Sequence, residues 1–398
     1  MRKIDTRDVR LATRTTPRDL NRQIVLNLIR EHQPISRAEL ARRLGTGRGA
    51  VTTLVAELLA DDLVYDGATG PTTGGRRPTY LYLRTEHRLA AAVDVRSSRT
   101  YVMLGDFGGR PLAFEAAPTE RDPERFADAV AARVGALVAA HADAGRCEGL
   151  GVVVPGMVDR RSGRVLRAPQ LGWRDVALHE ALARRTHLPV WVENAPIACA
   201  LAHMWLPGAG DPADRSFVYV SVSDGVGAGV VTDGQLLRGQ TQTAGEFGHL
   251  PLTLDGPRCS CGALGCWEAY TSNPATLARY AARRAAPPDP GLTVDELVRR
   301  AERGEDDAVA TLRETGRYLG LGLSGIVNAV NPGRIYVGGE ITAAWPLIDD
   351  AVHLALGSRA LTPEAAATPV LPDRAAHPRL RGALALVAAP TYAAPRLG

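Results

Sequence analysis

Apolar residues in the first fifth of the chain recur at the spacing of three amphipathic helices. The first stripe predicts a helix over about residues 19–31, and a second, short helix follows up to about residue 44. Ser36 and Glu39 form a capping box at the start of the second helix, in which the hydroxyl accepts from the Glu39 amide while the carboxylate reaches back. The apolar positions of the third helix recur at i, i+3, i+4, i+7 and i+8, namely Val51, Leu54, Val55, Leu58 and Leu59.

Two short alternating segments after these helices predict a β-hairpin. Residues 63–65 and 80–83 alternate as strands do, around a tip rich in Gly and Pro that carries Arg76 and Arg77. Three helices followed by such a hairpin are the element order of a winged helix-turn-helix, whose third helix enters the major groove of DNA. A trihelical protein-interaction module with a solvated arginine hairpin is the alternative.

The distribution of charge favours the DNA-binding interpretation. Residues 1–85 carry 15 Lys and Arg against 9 Asp and Glu, whereas the remaining residues carry 32 against 34. A basic excess confined to one end is typical of contact with a polyanion. We therefore expect a loose arm over residues 1–17 and a DNA-binding head over residues 18–86. The side chains expected to reach base edges or phosphates are Ser36, Arg37, Thr46, Arg48, Thr52, Thr53, Arg76 and Arg77.

From about residue 89 onwards, segments with the pattern of buried strands alternate with helical segments, which predicts an α/β body over residues 87–398. A strand over residues 217–222 and a helix near residues 195–205 are examples. A glycine-bearing strand-turn is expected to recur near residues 94, 223 and 338, which suggests two related α/β lobes. No apolar run approaches the roughly 18 residues of a membrane span, and the first residues lack a signal peptide's apolar region, so we expect a cytoplasmic protein.

One histidine and three cysteines have the spacing of a metal site. His249, Cys259, Cys261 and Cys266 supply one imidazole and three thiolates within 18 residues. This is a full tetrahedral ligand set, and soft thiolates select zinc over magnesium or calcium. Packed, reduced cysteines are the alternative, but buried thiols rarely cluster in a loop so rich in glycine. We expect a structural Zn²⁺ that clips this loop.

Several segments of the body resemble the sequence blocks of the ROK family, which comprises repressors, open reading frames and sugar kinases. The most specific are GEFGH, residues 245–249, and CSCGALGCWE, residues 259–268. Further similar blocks follow the family's order: VVPGMVD at 153–159, PQLGW at 169–173, EN at 193–194 and NPGRIYVGGE at 331–340. The resemblance spans about residues 89–398. Together with the head, the whole chain resembles a ROK transcriptional regulator of the xylose and N-acetylglucosamine repressor type.

The resemblance implies an α/β fold in which the N-terminal winged helix-turn-helix is followed by an actin-like, two-lobed ROK sugar-binding domain. It places Asn194, Glu246, His249 and Glu268 at positions that bind sugar hydroxyls, with His249 also on the zinc. Carboxylates accept hydrogen bonds from hydroxyls, and an amide both donates and accepts, so these residue types suit a sugar.

Departures from the family pattern separate a sensor from a kinase. ROK kinases carry an Asp directly after the Asn of the Glu-Asn pair as general base, and this chain has Ala195. Where the kinases have Asp-x-Gly-Gly-Thr, residues 94–98 are DVRSS, so side chains replace the glycines that admit phosphate. Gln170 replaces the usual Asn, which leaves the identity of the sugar open. We expect no catalytic residues.

These features predict a sugar-responsive regulator that binds double-stranded operator DNA, most simply a repressor. Two half-sites one helical turn apart require two heads in fixed register, so we expect a homodimer or homotetramer. A ROK sugar kinase, and a ligand-independent regulator with a decayed sugar site, are the alternatives.

Overall fold

The computed structural model describes residues 18–70, 77–211, 214–240, 243–287 and 289–393. The arm predicted over residues 1–17 and the wing residue Arg76 lie outside the described residues. Within the described part, no helix combines the length and the apolar character needed to cross a bilayer.

The head contains the three predicted helices and the predicted hairpin, with one additional short strand. Its elements are α1 (Arg18–His32), β1 (Ile35–Ser36), α2 (Arg37–Leu44), α3 (Arg48–Ala60), β2 (Val64–Thr69) and β3 (Thr79–Leu83). The additional strand, β1, pairs with β3, which in turn pairs with β2 in the wing. The apolar stripes of the helices, including Val51, Val55 and Leu58, are buried against one another.

Half of the predicted capping box is present. The Ser36 hydroxyl accepts from the Glu39 amide at 3.1 Å and caps α2. The prediction that the Glu39 carboxylate reaches back is wrong, because it pairs instead with Arg42 at 2.5 Å and Arg43 at 3.2 Å. Cations three and four residues further along a helix lie beside the carboxylate and attract it away from the helix start.

The first lobe of the body is built on a five-stranded sheet in the order β11-β7-β4-β5-β6, with a small second sheet formed by β8, β9 and β10. Its elements are β4 (Arg88–Val95), β5 (Arg99–Asp106), β6 (Pro111–Pro118), α4 (Pro123–Ala140), β7 (Arg146–Val154), β8 (Met157–Asp159), β9 (Arg164–Ala168), β10 (Trp173–Val176), α5 (Leu178–Thr186), β11 (Val190–Asn194) and α6 (Ala195–Trp205).

The second lobe has a five-stranded sheet in the order β14-β13-β12-β15-β16. The elements from here to the end of the described chain are β12 (Phe217–Val222), β13 (Val226–Thr232), β14 (Gln235–Leu236), α7 (Glu268–Thr271), α8 (Asn273–Arg283), α9 (Val294–Glu302), α10 (Asp306–Val330), β15 (Ile335–Gly338), α11 (Trp345–Gly357), α12 (Pro363–Ala366), β16 (Val370–Pro372) and α13 (Pro378–Tyr392). The last helix, α13, returns to pack on β4, β7 and α6.

The two large sheets have the same topology. In each, the first strand (β4 or β12) pairs antiparallel with the second, which pairs antiparallel with the third. On its other side the first strand is parallel to the fourth, which is parallel to the fifth. The prediction of two related α/β lobes is confirmed. The turn after β4, which has no glycine in residues 94–98, and the turn after β12 both line the cleft between the lobes.

Candidate functional site

A cavity of about 760 Å³ lies in the cleft between the lobes. This volume is within the usual range of small-molecule sites. Its walls include the end of β7, the junction of β11 and α6, the turn between β12 and β13, and the glycine-rich segment before the cysteine cluster. The four sugar-site candidates named from the sequence, Asn194, Glu246, His249 and Glu268, all line it.

Asn194 stands where strand β11 passes directly into helix α6. Its side-chain oxygen accepts from the Ile197 amide at 3.2 Å and caps the helix. The main-chain N–H of Asn194 donates to the buried Glu193 carboxylate at 3.0 Å. Glu193 also accepts from Arg238 of the second lobe at 2.7 Å. Asn194 is therefore held from both sides, and the next position, Ala195, presents only a methyl group to the cleft.

Glu268 is fixed by hydrogen bonds to both of its carboxylate oxygens. Oε2 accepts from the Val226 amide at 3.0 Å, and Oε1 accepts from the Ser260 hydroxyl at 2.8 Å. The first bond holds it against the glycine-rich turn, where a Cβ on Gly225 would lie 2.7 Å from Oε2. Ser260, which the sequence reasoning did not single out, lies within the cysteine cluster and also lines the cleft.

Glu246 directly precedes a single turn of 3₁₀ helix, Phe247–His249, and His249 is its last residue. The imidazole Nε2 lies 3.9 Å from Glu246 Oε2. Burial raises the pKa of the Glu246 carboxyl, and the negative charge of Glu268 raises it further, while His249 opposes the shift. The two carboxylates therefore face the same cleft, with the imidazole beside one of them.

The four predicted metal ligands converge. The ligand atoms of His249, Cys259, Cys261 and Cys266 all lie within 4.8 Å of one another. The Cys261 and Cys266 sulfurs are 3.7 Å apart, and the Cys259 sulfur lies 3.6 Å from Nδ1 of His249. A tetrahedral ion with metal–sulfur bonds of about 2.3 Å separates its sulfurs by about 3.8 Å, so this set has the spacing to hold a metal ion. All five cysteines of the chain are free of disulfides.

An ion-pair cluster at the cleft was not anticipated from the sequence. Arg96 donates to Asp94 at 2.8 Å and, across the cleft, to Glu340 of the second lobe at 2.8 Å. Burial alone would lower the pKa of Arg96, but the two carboxylates raise it above its ordinary value. Asn273 donates to the other oxygen of Glu340 at 3.0 Å, and Ser97 donates to Asp224 at 3.1 Å. The signal in the sequence was a charged residue at position 96, where the family pattern has glycine. No neighbouring residue indicated that Arg96 pairs with Glu340, 244 residues away.

On the head, α3 exposes the side chains that were predicted to contact DNA. Arg48, Thr52 and Thr53 are exposed, and the two threonine hydroxyls donate to main-chain carbonyls one turn earlier at 2.8 and 3.2 Å. Arg77 is exposed at the end of the described wing, and Thr46 is half-buried before α3.

Two other predicted DNA contacts have partners within the head. Ser36 is occupied as the cap of α2. Arg37 forms a two-pronged ion pair with Asp66 of β2, at 2.7 and 3.0 Å. Arg37 therefore joins the helix-turn-helix to the wing through its side chain, and Ser36 does so through the pairing of β1 with β3.

Comparison with known proteins places the chain in a family. The sequence profile of the ROK family matches residues 90–389, and that of a winged helix-turn-helix DNA-binding domain matches residues 18–65. Because the first match covers most of the chain, this protein belongs to the ROK family.

Curated relatives similar over nearly the whole chain are regulators. The xylose repressor of Bacillus subtilis (strain 168) is 28% identical over 351 residues, which cover 88% of this chain and 89% of the relative. The DNA-binding transcriptional dual regulator NagC of Escherichia coli (strain K12) is 28% identical over 380 residues, which cover 93% of this chain and 92% of the relative.

Solved structures include both regulators and kinases. A ROK family transcriptional regulator, a homolog of the E. coli MLC protein, has a TM-score of 0.79 at 25% identity and covers 94% of this chain and 96% of its own. A ROK family glucokinase from Streptomyces griseus, in complex with glucose and AMPPNP, has a TM-score of 0.66 at 27% identity and covers 75% of this chain and 98% of its own. Family membership alone therefore does not decide between sensor and enzyme.

We expect Cys259→Ser to weaken metal binding by more than about tenfold, because it removes one of four converging ligands, and loss of a group that merely supports a ligand already costs about that much. Metal content by plasma mass spectrometry and chelator competition would measure the change. Cys147→Ser, a thiol outside the cluster, is the matched control. Equal metal content in wild type and Cys259→Ser would contradict a metal site here.

Proposed function

We propose that this protein is a DNA-binding transcriptional repressor of carbohydrate-related genes whose affinity for its operator changes when a sugar binds in the cleft. The observation that carries the proposal is the combination within one chain of a winged helix-turn-helix and a kinase-like cleft with Ala195 at the general-base position. The regulators named above are similar along both parts.

The head supports DNA binding through its exposed side chains. In a winged helix-turn-helix the start of the third helix enters the major groove, and Arg48, Thr52 and Thr53 occupy the first turns of α3. Arginine and threonine side chains suit contacts to phosphates and base edges. We assign Arg77 and Arg76 to the wing contact, and Ser36, Arg37 and Thr46 to the edge of the same surface.

The cleft supports a sugar ligand through convergent polar groups. Asn194, Glu246, His249 and Glu268 offer an amide, two carboxylates and an imidazole around one cavity, and vicinal hydroxyls pair with such groups. The xylose repressor named above has a pentose in its name, and the glucokinase named above holds glucose in its complex, and we infer a monosaccharide for this chain. Gln170, which also lines the cavity, is the position we assign to discrimination between sugars.

We infer zinc as the ion of the His249 and cysteine cluster, because three thiolates and one imidazole are its preferred tetrahedral set. His249, Cys259, Cys261 and Cys266 would hold it, and Nδ1 is the imidazole nitrogen nearest the sulfurs. Bound there, zinc would supply a fixed tautomer, leaving Nε2 protonated. His249 then donates from Nε2 into the cleft, beside Glu246.

Two features argue against phosphotransfer. Ala195 leaves no carboxylate after Asn194 to take a proton from a sugar hydroxyl, and loss of such a base costs about 10²–10⁴ in rate. The turn over residues 94–98 is filled by the Arg96 side chain and its ion pairs with Asp94 and Glu340, where a phosphate-binding turn needs open backbone. We therefore propose that the cleft senses its ligand without changing it.

We assign residues 18–86 to the DNA-binding head and residues 87–398 to the effector-binding and oligomerisation domain. Because a repressor of this kind needs two heads on adjacent half-sites, we propose a homodimer or a homotetramer in the cytoplasm.

The wing can be tested by its dependence on salt. We expect Arg77→Ala to weaken binding several-fold to a duplex selected from a random library, and to reduce the salt slope by about 0.9 if it neutralises one phosphate. Thr52→Ala is expected mainly to relax sequence preference. Fluorescence anisotropy at several salt concentrations measures both effects. Arg161→Ala, an exposed arginine of the body, is the control. Unchanged affinity in Arg77→Ala and Thr52→Ala would point to a protein-binding module.

The effector can be tested by titrating D-xylose, D-glucose and N-acetyl-D-glucosamine into the protein–DNA complex. We expect one of them to weaken DNA binding at least about tenfold, and Glu268→Gln to abolish that response while DNA binding persists, because the carboxylate is the sugar's acceptor. Glu364→Gln, exposed on α12, is the matched control. A folded, metal-loaded protein that ignores a broader panel of sugars would contradict the sensor proposal and leave the DNA-binding proposal intact.

Phosphotransfer can be tested with a coupled assay for ADP release. With ATP and each of the three sugars, we expect the rate to equal that without sugar, because Ala195 cannot act as the general base that the family's kinases carry at this position. A ROK glucokinase serves as positive control. Sugar-dependent turnover that Glu268→Gln abolishes and Arg77→Ala leaves intact would identify the protein as a kinase.

A further inference from the structure

Two helices of the body lie side by side and run from the cleft to the head. Helix α6 has 11 residues and helix α13 has 15, which correspond to lengths of about 16 and 22 Å. They pack closely on each other, and both begin at the cleft and end against α1 of the head. We call this pair of helices, Ala195–Trp205 and Pro378–Tyr392, the strut.

At the cleft, the first turns of both helices belong to the walls of the cavity. Asn194, Ala195 and Pro196 line it at the start of α6, and Arg379 lines it at the start of α13. Arg379 Nη1 lies 3.7 Å from Asp94, which is in turn bonded to Arg96. The start of the strut therefore adjoins both the candidate sugar site and the ion pairs that bridge the two lobes.

At the head, three side chains of α1 donate to the last carbonyls of the strut. Arg30 Nη1 donates to the carbonyls of Met204 and Trp205 at 2.9 and 3.3 Å. Gln23 and Asn27 donate to the carbonyls of Thr391 and Tyr392, each at 2.8 Å.

We call these contacts of Gln23, Asn27 and Arg30 with the strut the joint. Arg30 is held in the joint by further contacts. The side chain is buried, it pairs with Glu31 at 2.8 Å, and its guanidinium lies 5.1 Å from the Trp205 ring and 5.7 Å from the Tyr392 ring. A cation at a helix C-terminus is also attracted by the unpaired carbonyls and the helix dipole. One arginine of the head is therefore bound by both helices of the strut.

Between its ends, α6 is in backbone contact on two faces. A Cβ on Gly382 of α13 would lie 2.7 Å from the Ala198 carbonyl carbon, and a Cβ on Gly229 of β13 would lie 2.5 Å from the Pro196 oxygen. Strand β13 belongs to the second lobe. Because packed backbones cannot be compressed, a movement of the second lobe towards α6 is transmitted to that helix.

We propose that the strut couples the cleft to the head. Arg30 is the positioning residue through which lobe movement sets the orientation of α3, the helix expected to enter the major groove. This inference rests on the proposed sugar-responsive function and adds the structural path by which the cleft would act on the head. Coupling of this kind is a free energy shared between two sites, so a perturbation at the cleft changes DNA affinity only while the joint is intact.

The test is a double-mutant cycle that needs no identified effector. Arg96→Ala removes the ion pair between Arg96 and Glu340 that bridges the lobes, and Arg30→Met removes the bonds of Arg30 to the strut. We expect Arg96→Ala to change affinity for the selected duplex at least about threefold in the wild-type background and less than twofold in the Arg30→Met background, because coupled sites are not additive. Equal changes in the two backgrounds, or no change in either, would overturn the strut proposal.

Helix α1 provides a matched control. Arg22 pairs with Asp61 inside the head rather than with the strut, so Arg22→Met should leave the effect of Arg96→Ala intact. If Arg30→Met does not fold, as judged by melting and hydrogen exchange, Gln23→Ala takes its place, because it removes a single bond of the joint. We expect it to reduce the effect of Arg96→Ala on DNA affinity at least about twofold. Arg30→Lys keeps the charge and is expected to restore part of the coupling that Arg30→Met removes.

The sugar titration separates failure of this inference from failure of the proposed function. If a sugar weakens DNA binding equally in wild type and Arg30→Met, the regulator function stands and the strut proposal is wrong. If the sugar response is lost in Arg30→Met while sugar affinity and DNA affinity persist separately, the strut is supported. If wild type does not bind DNA, both proposals fail.

Discussion

The direct passage of strand β11 into helix α6 is the constraint on which the cleft depends. The strand is parallel to β7 and ends at Asn194, and the helix begins at the next residue, so the chain has no loop there that could adjust. The strand fixes the position of Glu193, the helix fixes the cap at Asn194, and Ala195 must face the cavity. The side chain at position 195 therefore faces the cavity from a fixed start of α6, and in this chain it is a methyl group.

Much of the fold could be predicted because its signals are local. The strand over residues 217–222 and the helix over residues 195–205 have the predicted bounds, since alternation and helical spacing depend on neighbours in sequence. Helix α13 was not predicted, because residues from Gly382 to Ala389 are buried on every side and show no polar face, and Pro390 interrupts the pattern. Strand β1 has only two residues and depends on pairing with β3.

The candidate site divides in the same way. The resemblance named Asn194, Glu246, His249 and Glu268, and the structure brings all four to one cavity. Nothing local could reveal that Arg96 pairs with Glu340 or that Arg30 seats on the ends of two helices, because such pairs depend on tertiary folding. The cysteine cluster could be predicted from its spacing in the sequence, but its position relative to the two carboxylates is visible only in the structure. Its ligands lie between the turn that carries Glu246 and the helix that begins at Glu268, so an ion there would fix the distance between the two carboxylates.

The joint between head and body has a consequence for biosynthesis. The helix that carries Gln23, Asn27 and Arg30 is translated before the body, whereas the Thr391 and Tyr392 carbonyls that accept from it are translated more than 360 residues later. A nascent head can therefore fold early, but it cannot form these contacts until α13 has been translated. A chain truncated before α13 would leave the side-chain amide of Asn27 without its Tyr392 acceptor and one face of the first sheet uncovered, so its head would lack these contacts and its core would be incomplete.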